Sequence, residues 1–207
     1  MGRGQTAAVE LSEAIGRRRM VRRFTADPVD PAVVEHLVDQ ARRAPSAGHS
    51  QGTAFVVLAG TDETSRYWDV TLPAERRATF RWPGLVAAPV LIVALTSPAA
   101  YVDRYAEPDK AATGLGESVE AWPVPYWWVD AGAAVEHLLL GAVDAGLGAC
   151  LFGLFDHEAD VLAALGVPAR WRAVGTIALG HPAPDDPGRS AHRPRRPLDE
   201  VFHRGGW

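Results

Sequence analysis

The chain of 207 residues contains one cysteine, Cys150, and one lysine, Lys110, among its 21 basic residues. A lone thiol excludes an internal disulfide and a cysteine-based zinc cluster, and makes a reducing cytoplasm the expected setting. Cys150 lies in an apolar run with no adjacent His or cation, which predicts a buried structural thiol rather than a nucleophile. Long apolar runs are missing too. Leu85 to Leu95 is too short to span a bilayer, and Ala131 to Val143 is broken by Glu136 and His137, so no transmembrane helix is expected. The opening Met1-Gly2-Arg3-Gly4-Gln5 has no apolar signal core, and no secretion is expected. Gly146-Leu147-Gly148 lacks the glycine spacing and the preceding strand of a dinucleotide fingerprint. With a net charge of -4 and a pI near 6.0, the chain as a whole repels nucleic acid and anionic membrane, and neither is an expected partner.

A hydrophobic content of 47% over this length predicts one core and one domain, residues 1–207. Helix and strand patterns alternate without repeats. A helix is expected over 7–19, with Val9, Leu11 and Ile15 as its apolar positions. A stronger one is expected over 31–43, where Asp30 can cap, Pro31 suits the first turn, and Val33, Val34, Leu37, Val38 and Ala41 form a stripe. Ala54 to Ala59 and Ala88 to Leu95 are short, apolar and β-branched, which predicts strands buried on both faces of a helix-covered sheet. The helix expected over 129–146 is apolar nearly all round, as befits a core or an oligomer interface, and Gly146 and Gly148 can end it. A short strand or extended turn is expected at 149–153. A helix is expected over 158–165, capped by Asp156, and a last strand over 174–179. Residues 181–197, rich in Pro, Gly, Asp and Arg, read as a loop or extended arm, and 181–207 as a C-terminal arm. Between 96 and 128, Tyr101, Tyr105, Trp122, Tyr126, Trp127 and Trp128 stand among prolines and charges. Packing on the core or a subunit interface is the expectation for them, ahead of a mobile cover over a planar ligand.

What is abundant is arginine. Arg17-Arg18-Arg19-Met20-Val21-Arg22-Arg23-Phe24 stands near one end of the chain and Arg193-Pro194-Arg195-Arg196-Pro197 near the other. Arginine replaces lysine throughout, so any one guanidinium says little, and composition alone reads such a run as a solvated face or polyanion patch. Punctuation of the first run by Met20, Val21 and Phe24 points instead to a shaped site. Together with the turn Ala44-Pro45-Ser46-Ala47-Gly48-His49-Ser50-Gln51, the clusters suggest a site for a phosphorylated cofactor, because the planar guanidinium fork matches a phosphate monoester. In an extended segment Arg18, Met20 and Arg22 share one face and can follow one elongated ligand.

Four blocks in this order and spacing, Arg18 to Phe24, Ala44 to Gln51, Gly146-Leu147-Gly148-Ala149-Cys150 and Arg193 to Val201, resemble the FMN-dependent nitroreductase family over nearly the whole chain. The resemblance implies an α+β fold with a central, mainly antiparallel sheet flanked by helices. It also implies an intertwined homodimer, with two sites for tightly but non-covalently bound FMN at the subunit interface and helix 129–146 in the dimer core. By motif, Arg18, Arg19 and Met20 match the segment along the FMN phosphate and ribityl end, and Arg22 the basic residue near the flavin pyrimidine. Pro45, Ser46 and Ala47 match the turn supplied by the partner subunit, and His49 stands where the family usually has Asn. Leu151, Phe152 and Gly153 would run along the isoalloxazine near N5, and Arg193 and Arg195 match a C-terminal basic pair on the phosphate.

Two departures bear on the chemistry. Met20 replaces a small polar residue, so only its backbone can hydrogen-bond to the cofactor, and His49 brings an imidazole that can donate to a flavin carbonyl oxygen. The activity implied is hydride transfer from NAD(P)H through flavin N5 to a nitroaromatic, quinone or related conjugated acceptor in a ping-pong cycle. The flavin does the chemistry, so no catalytic side chain is expected. An alternative is a biosynthetic flavin dehydrogenase or oxidase acting on a small molecule or peptide with dioxygen as acceptor. A non-enzymatic alternative is flavin storage or nucleic-acid binding through the same arginines. Asp156-His157-Glu158 is not expected to hold a metal, since three consecutive residues cannot all face one ion.

Overall fold

The structure, a computed structural model, describes residues 9–184 and 188–207. Its centre is a four-stranded sheet built from β1 (Thr53–Ala59), β2 (Val90–Thr96), β3 (Gly148–Phe152) and β4 (Arg172–Gly180). The spatial order is β1-β2-β4-β3, and all three pairings are antiparallel. β2 is buried at every position. β1 is only partly buried, because it is an edge strand and only one of its flanks is paired. Alternation along β2 builds two cores: Leu91, Val93 and Leu95 face one side, and Val90, Ile92 and Ala94 the other.

The first face is covered by α3 (Thr61–Thr71) and α8 (Glu158–Ala164), through Tyr67, Trp68 and Val161. The second is covered by α2 (Pro31–Ala41) and the long α7 (Tyr126–Asp144), whose Leu37, Ala41, Leu138 and Ala142 are almost wholly buried. Short helices α1 (Leu11–Arg17), α4 (Ala74–Arg77), α5 (Pro83–Val86) and α6 (Pro98–Tyr105) complete the set. A third, smaller cluster of Tyr101, Trp122 and Trp127 packs where the sequence expected buried aromatics, with rings edge to face at 5.8–6.1 Å. No helix among the described residues is long and apolar enough to cross a membrane.

Local chemistry explains most boundaries. Asp30 accepts the Ala32 amide at 3.0 Å and Pro31 opens α2, as expected. α7 starts three residues earlier than the pattern predicts and closes before Gly146, which has φ +70°. α1 is shorter than expected. It buries Ala14 while Leu11 and Ile15 stay exposed, and residues 7 and 8 of the expected helix lie outside the described residues. Asp156 does not cap α8. It lies in a 3-10 turn (Phe155–His157) entered through Phe155 at φ +48°, and Glu158 instead ties α8 to β4, accepting Arg172 at 2.8 and 3.0 Å and the Ala173 amide at 2.9 Å. In the arm, 3-10 turns form at Arg189–His192 and Leu198–Glu200, whereas residues 185–187 lie outside the described residues. Cys150 is buried in β3.

Candidate active site

The first arginine block leaves α1 as an extended segment laid along the free edge of β3. The Val21 amide donates to Ala149 O at 2.9 Å, Met20 and Ala149 form a parallel bridge, and the Leu151 amide points at Met20 Sδ at 3.4 Å. Further on, Thr25 N donates to His181 O and Ala183 N to Arg23 O, so the segment also zips to the chain leaving β4. The arginine block, the Gly146–Gly148 turn with Leu151, Phe152 and Gly153, and the root of the arm are thereby brought together. Gly148 makes the approach possible, since a Cβ there would lie 2.9 Å from both Val21 methyls.

A cleft of about 140 Å³ opens at this junction, lined by Arg17, Arg18, Arg19, Gly146, Gly148 and Pro182 among others. Guanidiniums around a small glycine-rimmed cleft are suited to an anion. Arg18 Nε lies 3.0 Å from Glu136 Oε1, a carboxylate on α7 that holds the guanidinium at the cleft and competes with any incoming anion. Arg19 is exposed. Arg22 turns the other way: its Nη1 donates to Met20 O at 3.3 Å, and its guanidinium lies 5.0 Å over the Trp82 ring. Gly188, buried, packs against Arg22 and Trp82, so the arm leaves the body beside Arg22. Arg193 and Arg195 are exposed further along that arm.

Sequence reasoning missed Trp82. It is flanked by two cations, with Arg81 also 5.0 Å from the ring, and helps line an aromatic cavity of about 310 Å³ with Trp68, Phe80, Phe152 and Phe155. Trp68 and Phe152 lie nearly parallel, 6.0 Å between centroids and 8° between planes. The Trp68 indole N–H is buried with no hydrogen-bond partner among the described residues. Burial pushes the neighbouring Tyr67 phenol up to about 12, against a lowering by the hydrogen bond from Thr176. The Phe80-Arg81-Trp82 run was the available signal, but only the fold shows that it reaches Arg22.

The turn with Pro45, Ser46, Ala47 and His49 is not brought to this site. It leads into Thr53, which pairs through Thr96 to Arg172, whereas Gly148 pairs with Gly180 at the other end of β4. The turn and the arginine cleft thus sit at diagonally opposite corners of the sheet. The three inter-strand spacings alone separate those edges by about 14 Å.

Comparison with known proteins adds the family. A family model described as "Nitroreductase family" matches residues 15–181. The chain belongs to the nitroreductase family. The chain is 30% identical over 211 residues to a protein named NADH dehydrogenase from Thermus thermophilus, covering 93% of this chain and 95% of that one. It is also 30% identical over 183 residues to a protein named 5,6-dimethylbenzimidazole synthase from Rhodospirillum rubrum, covering 82% of this chain and 81% of the other. A crystal structure of a nitroreductase-type protein from Desulfovibrio desulfuricans in complex with FMN has a TM-score of 0.68 at 27% identity, covering 96% of this chain and 98% of that one. The α+β architecture with a wholly antiparallel four-stranded sheet is therefore that of the nitroreductase family.

Proposed function

We propose that the chain is an FMN-dependent oxidoreductase that draws reducing equivalents from NAD(P)H and passes them to a nitroaromatic, quinone or related conjugated acceptor. The convergence of Arg17–Arg19 on the cleft beside Gly146 and Gly148 carries this reading, since that donor set suits a phosphate monoester. When bound, FMN supplies the hydride-accepting centre, and the protein supplies binding, orientation and electrostatics.

In this reading Arg18 and Arg19 hold the phosphate, joined by Arg193 and Arg195 from the arm. Met20, whose side chain faces the Leu151 amide, contributes only its backbone to the cofactor. Leu151, Phe152 and Gly153 provide the platform for the ring system. Arg22, held between Met20 O and Trp82, places positive charge near the flavin pyrimidine. The aromatic cavity excludes water from the acceptor side and favours flat, apolar rings.

Pro45, Ser46, Ala47 and His49 reach a flavin only from a second copy, because their own chain puts them at the opposite corner of the sheet. A homodimer is thus part of the proposal. Tyr126, Trp128 and Val129 on α7, and Leu198, Val201 and Phe202 on the arm, are large exposed apolar residues available to such an interface. A monomer by light scattering with FMN still bound would overturn the shared site.

The deciding experiment is the visible absorbance spectrum of purified protein before and after anaerobic NADH and NADPH. A flavin band that bleaches with either supports the reading, and no band with no uptake of added FMN ends it. A band that neither nicotinamide bleaches favours the second reading, a biosynthetic flavin enzyme using dioxygen, whose biosynthetic part accords with the likeness to a protein named 5,6-dimethylbenzimidazole synthase.

A further inference from the structure

The turn that carries His49 has an unusual backbone. Gly48, His49 and Gln51 all have positive φ, at 61°, 59° and 50°, a region that non-glycine residues seldom occupy unless the surroundings hold them there. Those surroundings are specific. Asp130, a largely buried carboxylate on α7, accepts the Ala47 amide at 2.7 Å and the Tyr101 hydroxyl at 2.9 Å on the same oxygen. Burial, then the hydrogen bond to Asp130, then its charge, push the Tyr101 phenol well above its ordinary value, so it stays a donor. From the other side Arg104 Nε donates to Gly48 O at 2.8 Å, while its two terminal nitrogens are held by Asp109 at 2.7 and 2.8 Å. Inside the turn, Ser50 Oγ donates to Ala47 O at 2.6 Å, and Gln51 N to Ser46 Oγ at 3.0 Å. The rings of Tyr101 and Tyr105 occupy the space that a Cβ would need at Gly52 and Gly48. The result is an exposed imidazole on a backbone fixed at both flanks.

We propose that Asp130, seconded by Tyr101 and Arg104, is a positioning residue that locks this turn so that His49 meets the flavin of a second copy in one fixed pose. The inference rests on the FMN reading above. Asp130 does not touch the cofactor. It acts through the Ala47 amide, whose loss of a partner lets Gly48, His49 and Gln51 relax to negative φ and swings the imidazole away. A buried carboxylate paired with two distant donors is more than packing requires in a helix whose other buried positions are Trp, Ala, Val, Leu and Gly.

The test compares Asp130→Asn, His49→Ala and the double variant as FMN-loaded protein. Asparagine keeps the volume, but with both donors on one oxygen it either turns its NH2 toward the pair or accepts them without the negative charge. Asp130→Asn is expected to weaken FMN binding about tenfold or more, the scale of a lost hydrogen bond to a charged group. It should also shift the flavin midpoint potential in the same direction as His49→Ala. If Asp130 acts through His49, the double variant shifts the potential no further than His49→Ala alone, a non-additivity that a general loss of stability would not produce. Additive shifts, or an unchanged affinity and potential in a folded Asp130→Asn protein, overturn the proposal. Should Asp130→Asn fail to fold, Arg104→Gln, which acts on the turn from the exposed side, carries the same expectation and the same refutation. Amide hydrogen exchange at Ala47 in the protein without FMN separates the two layers. Wild-type protein that takes up no FMN ends the flavin reading, whereas exchange at Ala47 unchanged by Asp130→Asn ends the brace.

Discussion

The Arg22 guanidinium lies 5.0 Å over the Trp82 ring and donates to the Met20 carbonyl, so a residue of the first arginine block is fixed by a segment 60 residues further along the chain. If Arg22 places its charge beside the flavin pyrimidine, Arg22→Met will lower the midpoint potential of bound FMN, because the anionic reduced form loses its counter-charge. Trp82→Leu will shift it in the same direction by less, since it loosens Arg22 without removing it. Spectroelectrochemical titration reads both, and a potential indifferent to Arg22→Met would detach that residue from the flavin.

The proposed phosphate binding by the cleft and the arm predicts that Arg18→Ala and Arg195→Ala each weaken FMN retention while leaving the fold intact. A charge-assisted hydrogen bond contributes about 1.5–3 kcal/mol, so each loss should raise the dissociation constant roughly 10- to 100-fold. Flavin fluorescence released on dilution, alongside an unchanged far-ultraviolet circular dichroism spectrum, measures this. Full flavin occupancy in both variants would contradict the assignment.

Gly148 is fixed by a close approach rather than by a turn. Alanine there would bring a Cβ to 2.9–3.0 Å from three carbons of Val21, a buried β-branched side chain with no rotamer freedom to spare. Gly148→Ala should therefore cost about 1–3 kcal/mol in urea unfolding, as overpacking does. It should also push the arginine segment off β3 and weaken FMN binding with it. Wild-type stability would mean that the segment is held elsewhere.

Glu158 predicts a pH dependence. Its carboxyl is held below the ordinary glutamate value by the hydrogen bond from Arg172 first, with the Ala173 amide adding to this and burial opposing it. With the folded value lowered, the stabilisation is fully present above the unfolded value and is lost as pH falls through the folded one. Thermal denaturation should thus show wild type losing more stability than Glu158→Gln on acidification below the ordinary glutamate range. Parallel curves for the two proteins would refute it.

Features written locally in the sequence were legible. Asp30 and Pro31 announce α2 because capping is a matter of adjacent residues, and β2 and α7 declare themselves by periodicity. Asp156 misled because a cap needs the right backbone as well as the right side chain, and the positive φ at Phe155 feeds α8 through a 3-10 turn. Tyr126 and Trp127 hid the start of α7 by reading as part of an aromatic segment. Asp130 was illegible for a different reason: a lone carboxylate in a helix looks solvated until its partners, Ala47 and Tyr101, fold onto it from 83 and 29 residues away. Trp82 needed the fold in the same way. For the candidate site, motif order named the residues, but the opposed corners of the sheet could be seen only in the strand register.

Those opposed corners carry a genetic corollary. If, as proposed, the site is assembled from the arginine cleft of one copy and the His49 turn of another, it can be broken from either side, by lesions that map far apart on the gene. In a mixed dimer of an Arg18 variant and a His49 variant, one site collects both lesions and the other collects neither. Two alleles that are each silent alone would then restore partial activity when co-expressed, and two alleles within the same corner would not.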